Sequence, residues 1–310
     1  MLGRARFLSS AARSALRRYP ASISRSLRET PPPLAADELA ESWRRLTDTP
    51  GLSAACWLGH CSVMLRLGGL TILTDPVLSH VVGPKLGGRT FGAHRTSPAV
   101  ADAGSLPTPD IVLISHAHYD HLDRPTLAAL AGAAPNPARV ITARRTRRLI
   151  PHGFSGVAEL HWGSTTQIGS VRITALRPKH WGARHIWDVH RGYNSYLLEA
   201  DGARVLFAGD TALTSAFDRL GPIDLAIFGI AAYDPWIHAH ANPEEVWTMA
   251  STMPARALLP VHHSTFNLSN EPPDEPVRRL LRAAASPLPS SPSPRIILVS
   301  PGQVVPLSPS

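Results

Sequence analysis

Short apolar runs separated by polar and glycine-rich turns run through this chain, and they predict strands first. Residues 54–59, 62–67 and 70–74 read as three strands. Gly68-Gly69 supplies the positive φ values that a two-residue hairpin between the last two requires. Ile111 to Ser115 is a nearly continuous apolar run, the pattern of a strand covered on both faces. A polar cluster follows, then a helical pattern from about Pro125 to Ala131. Further strands are predicted at 138–143, 171–177, 195–200, 203–208 (around Asp201-Gly202), 225–230, 256–261 and 295–299. Asn242-Pro243-Glu244-Glu245 predicts a helix start: an Asn cap, Pro in the first turn, and acids facing the positive helix end. A second helix is expected near 275–286, and the Pro/Ser-rich stretch 287–294 reads as a loop. Strands mixed with helices throughout predict α/β layers, with helices covering sheet faces. Ordered sequence is expected to begin near Ala54, and no solenoid-like repeat is visible.

Length and charge refine this picture. The 310 residues, 44% hydrophobic, suit one large domain or two small ones. No run reaches the ~18 apolar residues of a spanning helix. The formal charge of +8 is a local property: residues 1–28 carry seven arginines and no acid, which leaves 24 basic against 23 acidic residues elsewhere. A near-neutral body argues against a phosphate-tracking surface, so no nucleic-acid partner is expected. The chain therefore divides into a basic tail, 1–50, and a folded domain, 51–310. Three readings fit the tail: a flexible arm, an amphipathic helix on an anionic membrane, or a targeting peptide. The expected location is cytoplasmic, with peripheral membrane contact through the tail, and a homodimer is compatible. Cys56 and Cys61 are too few for a disulfide framework and read as small buried hydrophobes.

The chemistry concentrates in Ser115-His116-Ala117-His118-Tyr119-Asp120-His121-Leu122-Asp123. Three imidazoles and a carboxylate directly after a buried strand have little structural use, because each would need its own buried partner. They are good metal ligands. More candidates follow other apolar runs: Asp210 after Phe207-Ala208-Gly209, His262 and His263 after Leu259-Pro260-Val261, and His180 after 171–177. Each is weak alone; their recurrence at strand ends is stronger.

In order and spacing these motifs resemble the metallo-β-lactamase superfamily. Within it, the resemblance is to the N-acyl-phosphatidylethanolamine phospholipase D group and its bacterial relatives. It runs from Trp57-Leu58-Gly59-His60 through Leu73-Thr74-Asp75-Pro76, the His116–Asp123 segment, Lys179-His180-Trp181 and Gly209-Asp210-Thr211. Ala232-Tyr233-Asp234-Pro235, His240 and His262 complete it. The match weakens in Ala183–Arg191, after Thr211, and at His263-Ser264, which line the expected substrate mouth.

The resemblance implies a four-layer αβ/βα sandwich, the metallo-β-lactamase fold, holding two zinc ions, with manganese or iron as alternatives. It assigns His116, His118 and His180 to one metal, and Asp120, His121 and His262 to the other, with Asp210 bridging. A hydroxide between the metals would be the nucleophile. Asp120, Asp210 and His240 are the expected catalytic residues, with an exposed loop histidine as the competing reading of His240. Asp75 and Asp123 are expected either to orient ligand histidines or to serve as turn and cap residues. His60 is expected to be structural, or to support a ligand from behind, rather than to bind metal itself. The implied reaction is hydrolysis of an N-acyl-phosphatidylethanolamine-type lipid or related phosphodiester. A lactonase or sugar-phosphate hydrolase of the ascorbate-6-phosphate lactonase type is the alternative. An RNA-processing nuclease and a non-catalytic metal-binding scaffold rank below both.

Overall fold

The computed structural model describes residues 37–47, 51–133, 136–185, 187–286 and 293–307. Its apolar runs form two mixed seven-stranded sheets. In the first, β1 (Ser53–Gly59), β2 (Ser62–Leu67) and β3 (Leu70–Thr74) make an antiparallel meander. Gly68 and Gly69 close its hairpin at φ 56° and 73°. Four two-residue strands follow, β4 (Val81–Val82), β5 (Lys85–Leu86), β6 (Arg89–Thr90) and β7 (Ala93–His94), paired β4 with β7 and β5 with β6. Then β8 (Ile111–Ile114), β9 (Arg139–Ala143) and β10 (Gly156–Leu160) extend the first sheet in parallel from β3.

The second sheet runs in chain order: β11 (Thr165–Ile168), β12 (Val171–Leu176), β13 (Ser195–Ala200), β14 (Ala203–Phe207), β15 (Ile223–Gly229), β16 (Ala255–Val261) and β17 (Arg295–Ile296). It turns from antiparallel to parallel at β14. The last strand, β18 (Val304–Leu307), returns to the first sheet and pairs with β1.

The period-2 geometry of strands explains the continuous apolar runs. On β8, Ile111 and Leu113 face the space between the sheets, while Val112 and Ile114 face outward. On β15, Leu225 and Ile227 point in, and Ala226 and Phe228 point out. Helix α1 (Asp37–Thr47) and helix α2 (Arg124–Ala133) cover the outer face of the first sheet. Helices α3 (Pro243–Thr252) and α4 (Glu275–Ala284) cover that of the second. The result is the expected four-layer αβ/βα sandwich. Helix α3 starts as its sequence predicts: Asn242 accepts from the Glu245 amide at 2.9 Å, and Glu245 accepts from the Asn242 amide at 3.0 Å.

Several expectations need correction. Ordered structure precedes Ala54, because Leu39 and Trp43 of α1 are buried against Cys56, Leu58, Met64 and Leu73. The strands β10, β11 and β18 carry weak patterns, since each lies at a sheet edge. Edge strands tolerate polar residues and, as at Pro306 of β18, a missing amide donor. The last predicted strand, 295–299, shortens to Arg295–Ile296. The arginine-rich segment before residue 37, and most of the Pro/Ser-rich loop, lie outside the described residues. Among the described residues, no helix is long and apolar enough to cross a membrane.

One hydrogen bond ties the two sheets together beneath the histidine cluster. The fully buried Tyr196 hydroxyl, on β13, donates to the Ile114 carbonyl at 2.9 Å, at the end of β8. Asn194 Nδ2 donates to the same hydroxyl at 3.2 Å. Tyr196→Phe leaves that carbonyl without its donor, so we expect a loss of about 1–3 kcal/mol in chemical denaturation. A change within error would show that the bond does not join the sheets energetically.

Candidate metal centre

The site lies where strand ends of both sheets meet. The loop after β8 carries His116, His118, Asp120 and His121. The chain after β12 brings His180, after β14 Asp210, and after β16 His262. His240 comes from a turn in which its amide donates to the Trp236 carbonyl at 2.9 Å. The approach of the two sheets depends on Gly209: its φ is 59°, and a Cβ there would sit 3.0 Å from Ser115 Cβ. A side chain at residue 209 would push Asp210 away from the histidine loop.

Two nests of donor atoms result. In the first, His180 Nε2 lies 3.2 Å from His116 Nε2 and 3.4 Å from His118 Nδ1, and His116 Nε2 lies 2.8 Å from His118 Nδ1. Asp210 Oδ2 stands 3.7 Å from both His116 Nε2 and His180 Nε2. In the second, Asp120 Oδ2 is 3.5 Å from His121 Nε2 and 3.5 Å from His262 Nε2. Asp210 closes this nest too, with Oδ2 at 3.1 Å from His121 Nε2 and Oδ1 at 3.4 Å from His262 Nε2. Donors around a tetrahedral cation with bonds of about 2.0–2.1 Å are about 3.3 Å apart, close to most of these spacings. All seven side chains expected as ligands therefore converge, with Asp210 common to both nests.

The outward ring nitrogens fix which lone pairs face inward. His180 Nδ1 donates to the Ala239 carbonyl at 2.9 Å, so its Nε2 presents a lone pair. His121 Nδ1 donates to Asp75 Oδ2 at 2.7 Å, which turns its Nε2 inward. The Ser115 hydroxyl donates to Asp75 Oδ2 at 2.5 Å, so it can only accept from His116 Nδ1, 2.8 Å away. His116 Nε2 then also faces inward bare. This is the outer arrangement metal-bound histidines need. Asp210 Oδ1, His121 Nε2 and His262 Nε2 are buried without a hydrogen-bond partner, as expected of atoms built for a cation.

The electrostatics agree. Burial drives His116 and His240 well below the usual histidine value and His118 down to about 3, keeping those rings neutral. Burial raises the carboxyls of Asp120 and Asp210, but their imidazole neighbours, His121 foremost, outweigh it and hold both ionised. Burial opposes a charge on His121 and His262. Asp210, with Asp120, overrides it, raising His121 well above the usual value and His262 to about 9. Without a cation, protons on these two rings stand where positive metal charge would otherwise be.

The remaining candidates separate cleanly. His240 joins the site wall, Nδ1 3.8 Å from Asp210 Oδ2, and its side chain is 14% exposed, against the reading as an exposed loop histidine. His263 turns away, stacks on Trp57 at 4.8 Å and meets Ser264 Oγ at 3.0 Å, which leaves His262 in the nest. His60 is buried and holds Asp120 Oδ2 at 3.0 Å. Asp75 orients His121, as expected of it, but Asp123 orients no histidine. Its carboxylate accepts from the Ser79 and Thr126 hydroxyls at 2.6 and 2.5 Å, at the start of α2.

Sequence reasoning missed Arg184. This arginine donates to the Ala117 and Leu122 carbonyls, both at 2.9 Å, and its guanidinium lies 3.8 Å from the Tyr119 ring centroid. It clamps both ends of the ligand loop from within the stretch where the family match weakens. No motif signals it.

Fold and donor nests together make a candidate metal centre at the strand ends of an αβ/βα sandwich. Residues 71–263 match the family model described as a beta-lactamase superfamily domain, and the chain belongs to the metallo-β-lactamase superfamily. An uncharacterized protein of Mycobacterium tuberculosis is 33% identical over 242 residues, 74% of this chain and 64% of that one. The mitochondrial N-acyl-phosphatidylethanolamine-hydrolyzing phospholipase D of Saccharomyces cerevisiae is 33% identical over 239 residues, 72% of this chain and 50% of that protein. The chain thus spans less than two thirds of these relatives' length. Among solved structures, a metallo hydrolase of the archaeon Ignicoccus hospitalis matches with a TM-score of 0.57 at 18% identity, covering 84% of this chain and all of that one, a likeness of fold.

A pH dependence follows from the protonated rings. A cation entering the second nest must displace the protons on His121 and His262, whereas His116, His118 and His240 are already neutral. Metal affinity should rise with pH at least until His262 loses its proton near 9, and loading at pH 7 should release protons. Calorimetry in buffers of different ionisation enthalpy counts them. A count of zero at pH 7 contradicts the assignment.

Proposed function

We propose that this chain is a dinuclear zinc phosphodiesterase that hydrolyses N-acyl-phosphatidylethanolamine-type lipids or a closely related phosphodiester. The observation that carries the reading is the pair of donor nests sharing Asp210. The substrate class is supported by the 33% identity to the yeast protein named for that hydrolysis. The donors are imidazoles and carboxylates, a set suited to zinc, with manganese and iron as the next choices. Two bound cations supply a water nucleophile at neutral pH and neutralise charge that grows on a phosphoryl oxygen.

The chain's own residues do the rest. Asp210 is the hinge of the site, since one carboxylate serves both nests. Asp120 closes the second nest and is held in place by His60. His240 is kept neutral by burial, so it acts as a hydrogen-bond donor to a phosphoryl oxygen better than as a reservoir of protons. Trp187, Val189, Leu213 and Ile237 are exposed on the stretches that also carry His180, Asp210 and His240. Exposed apolar side chains on these stretches suit acyl chains better than a sugar phosphate or RNA. The arginine-rich tail complements this by attracting an anionic lipid surface.

Fully metallated protein should release phosphatidic acid and an N-acylethanolamine from vesicles containing the lipid, and should cleave bis-aryl phosphodiesters. His118→Ala should lower both rates by about a hundredfold or more while the fold persists. Cleavage of neither substrate by metal-replete protein rejects the reading, and turnover confined to a lactone panel moves the chain to the lactonase alternative.

His240→Ala should reduce kcat about 10- to 100-fold, the cost of a hydrogen bond to a charged oxygen, with metal content unchanged. Loss of metal in that variant would make His240 a ligand instead.

A further inference from the structure

Cys61 is the group that the proposed site does not use, although it stands beside it. The residue closes the turn between β1 and β2, is fully buried, and has its carbonyl fixed by the Thr74 hydroxyl at 2.8 Å. Its Sγ and one nitrogen each of His60, His121 and His262 all lie within 4.8 Å of one another. Three of these imidazoles carry buried nitrogens with no partner: His60 Nδ1, His121 Nε2 and both nitrogens of His262. Ring centroids of His60 and His262 are 4.1 Å apart, and those of His121 and His262 are 5.3 Å apart. An alanine would fill an apolar corner equally well; a sulfur ringed by unpartnered imidazole nitrogens is a donor set.

We propose that Cys61 is a soft metal ligand of the second cation position, making His60, Cys61, His121 and His262 a nest that selects thiophilic divalent metals. The proposal rests on the metal centre argued above and not on its substrate. His121 and His262 belong to both arrangements. Asp120 and Asp210 offer them oxygen partners that accept zinc, manganese or iron alike, while Cys61 adds sulfur, which tips the choice toward zinc, cobalt and cadmium. On coordination the S–H bond breaks, a metal–sulfur bond forms, and the proton leaves to solvent. The other cysteine provides an internal control. Cys56 is equally buried, but it packs with Leu39, Trp43 and Leu58 in the outer cluster beneath α1.

Cobalt-loaded full-length protein tests this directly. Wild type and Cys56→Ser should show a thiolate-to-cobalt charge-transfer band in the near ultraviolet together with visible ligand-field bands. Cys61→Ser and Cys61→Ala should lose the sulfur band completely and keep the visible ones. X-ray absorption of the zinc-loaded wild type needs no variant, and should show a sulfur scatterer at about 2.3 Å. Cobalt uptake with ligand-field bands but no sulfur band overturns the role of Cys61 and leaves the metal centre standing. So does a zinc shell made only of nitrogen and oxygen. Absence of any metal uptake overturns both.

Discussion

The geometry of the centre depends on one buried carboxylate that touches neither nest's interior. Asp75 follows β3, where its amide donates to the Leu113 carbonyl of β8 at 2.8 Å. Its oxygens accept from the Ser115 amide at 2.7 Å, the Ser115 hydroxyl at 2.5 Å and His121 Nδ1 at 2.7 Å. Through His121 it sets the second nest, and through the Ser115 hydroxyl it sets His116 in the first. A carboxylate with no exposure is costly to bury, and burial does push its pKa upward. Three donors offset that cost, and their direction is what makes the inward-facing nitrogens of His116 and His121 converge.

The parallel pairing of β3 with β8, and of β14, β15 and β16, explains why this can happen at all. Parallel strands end together, so Asp75, the histidine loop, Asp210 and His262 emerge on one side of the sandwich. The chain then has to turn sharply. His60, Asp75 and His262 adopt φ values of 51°, 32° and 62°, the left-handed region that non-glycine residues avoid. The His262 amide donates to the His60 carbonyl at 3.0 Å, and Thr265 Oγ1 accepts from the His60 amide at 2.8 Å. Such conformations persist where surrounding bonds determine them, and a cluster of three at one site is consistent with function rather than with packing alone.

Those same features decide what could be read from sequence. The strands that fill the space between the sheets were legible because both faces are covered, which leaves an uninterrupted apolar run such as Ile111–Ile114. The edge strand Thr165–Ile168 alternates exposed and half-buried residues and has no such signature. Helix α1 falls within the stretch that reads as tail because its two anchors, Leu39 and Trp43, stand among charged and small residues and acquire meaning only against the first sheet. Ligand identities were legible because His and Asp at strand ends are chemically conspicuous. The choice between His262 and His263 was not settled by residue type, and it falls to the left-handed turn that points one ring inward. Asp123 and Arg184 show the limit from both sides: an aspartate beside the ligands serves a helix start, and an arginine far from them in sequence clamps their loop.

The protonated pair His121 and His262 gives the site a further property. Two carboxylates, Asp120 and Asp210, are held together in a buried pocket where their mutual repulsion would otherwise open it. Protons on the two rings balance that charge, so the nests keep their shape before a cation arrives. Loading then becomes an exchange of protons for metal within the frame that Asp75 and Ser115 hold. A frame already set by the sheets is what the proposed hydrolytic centre needs, because its donors must be in place when charge develops on the substrate rather than gather in response to it.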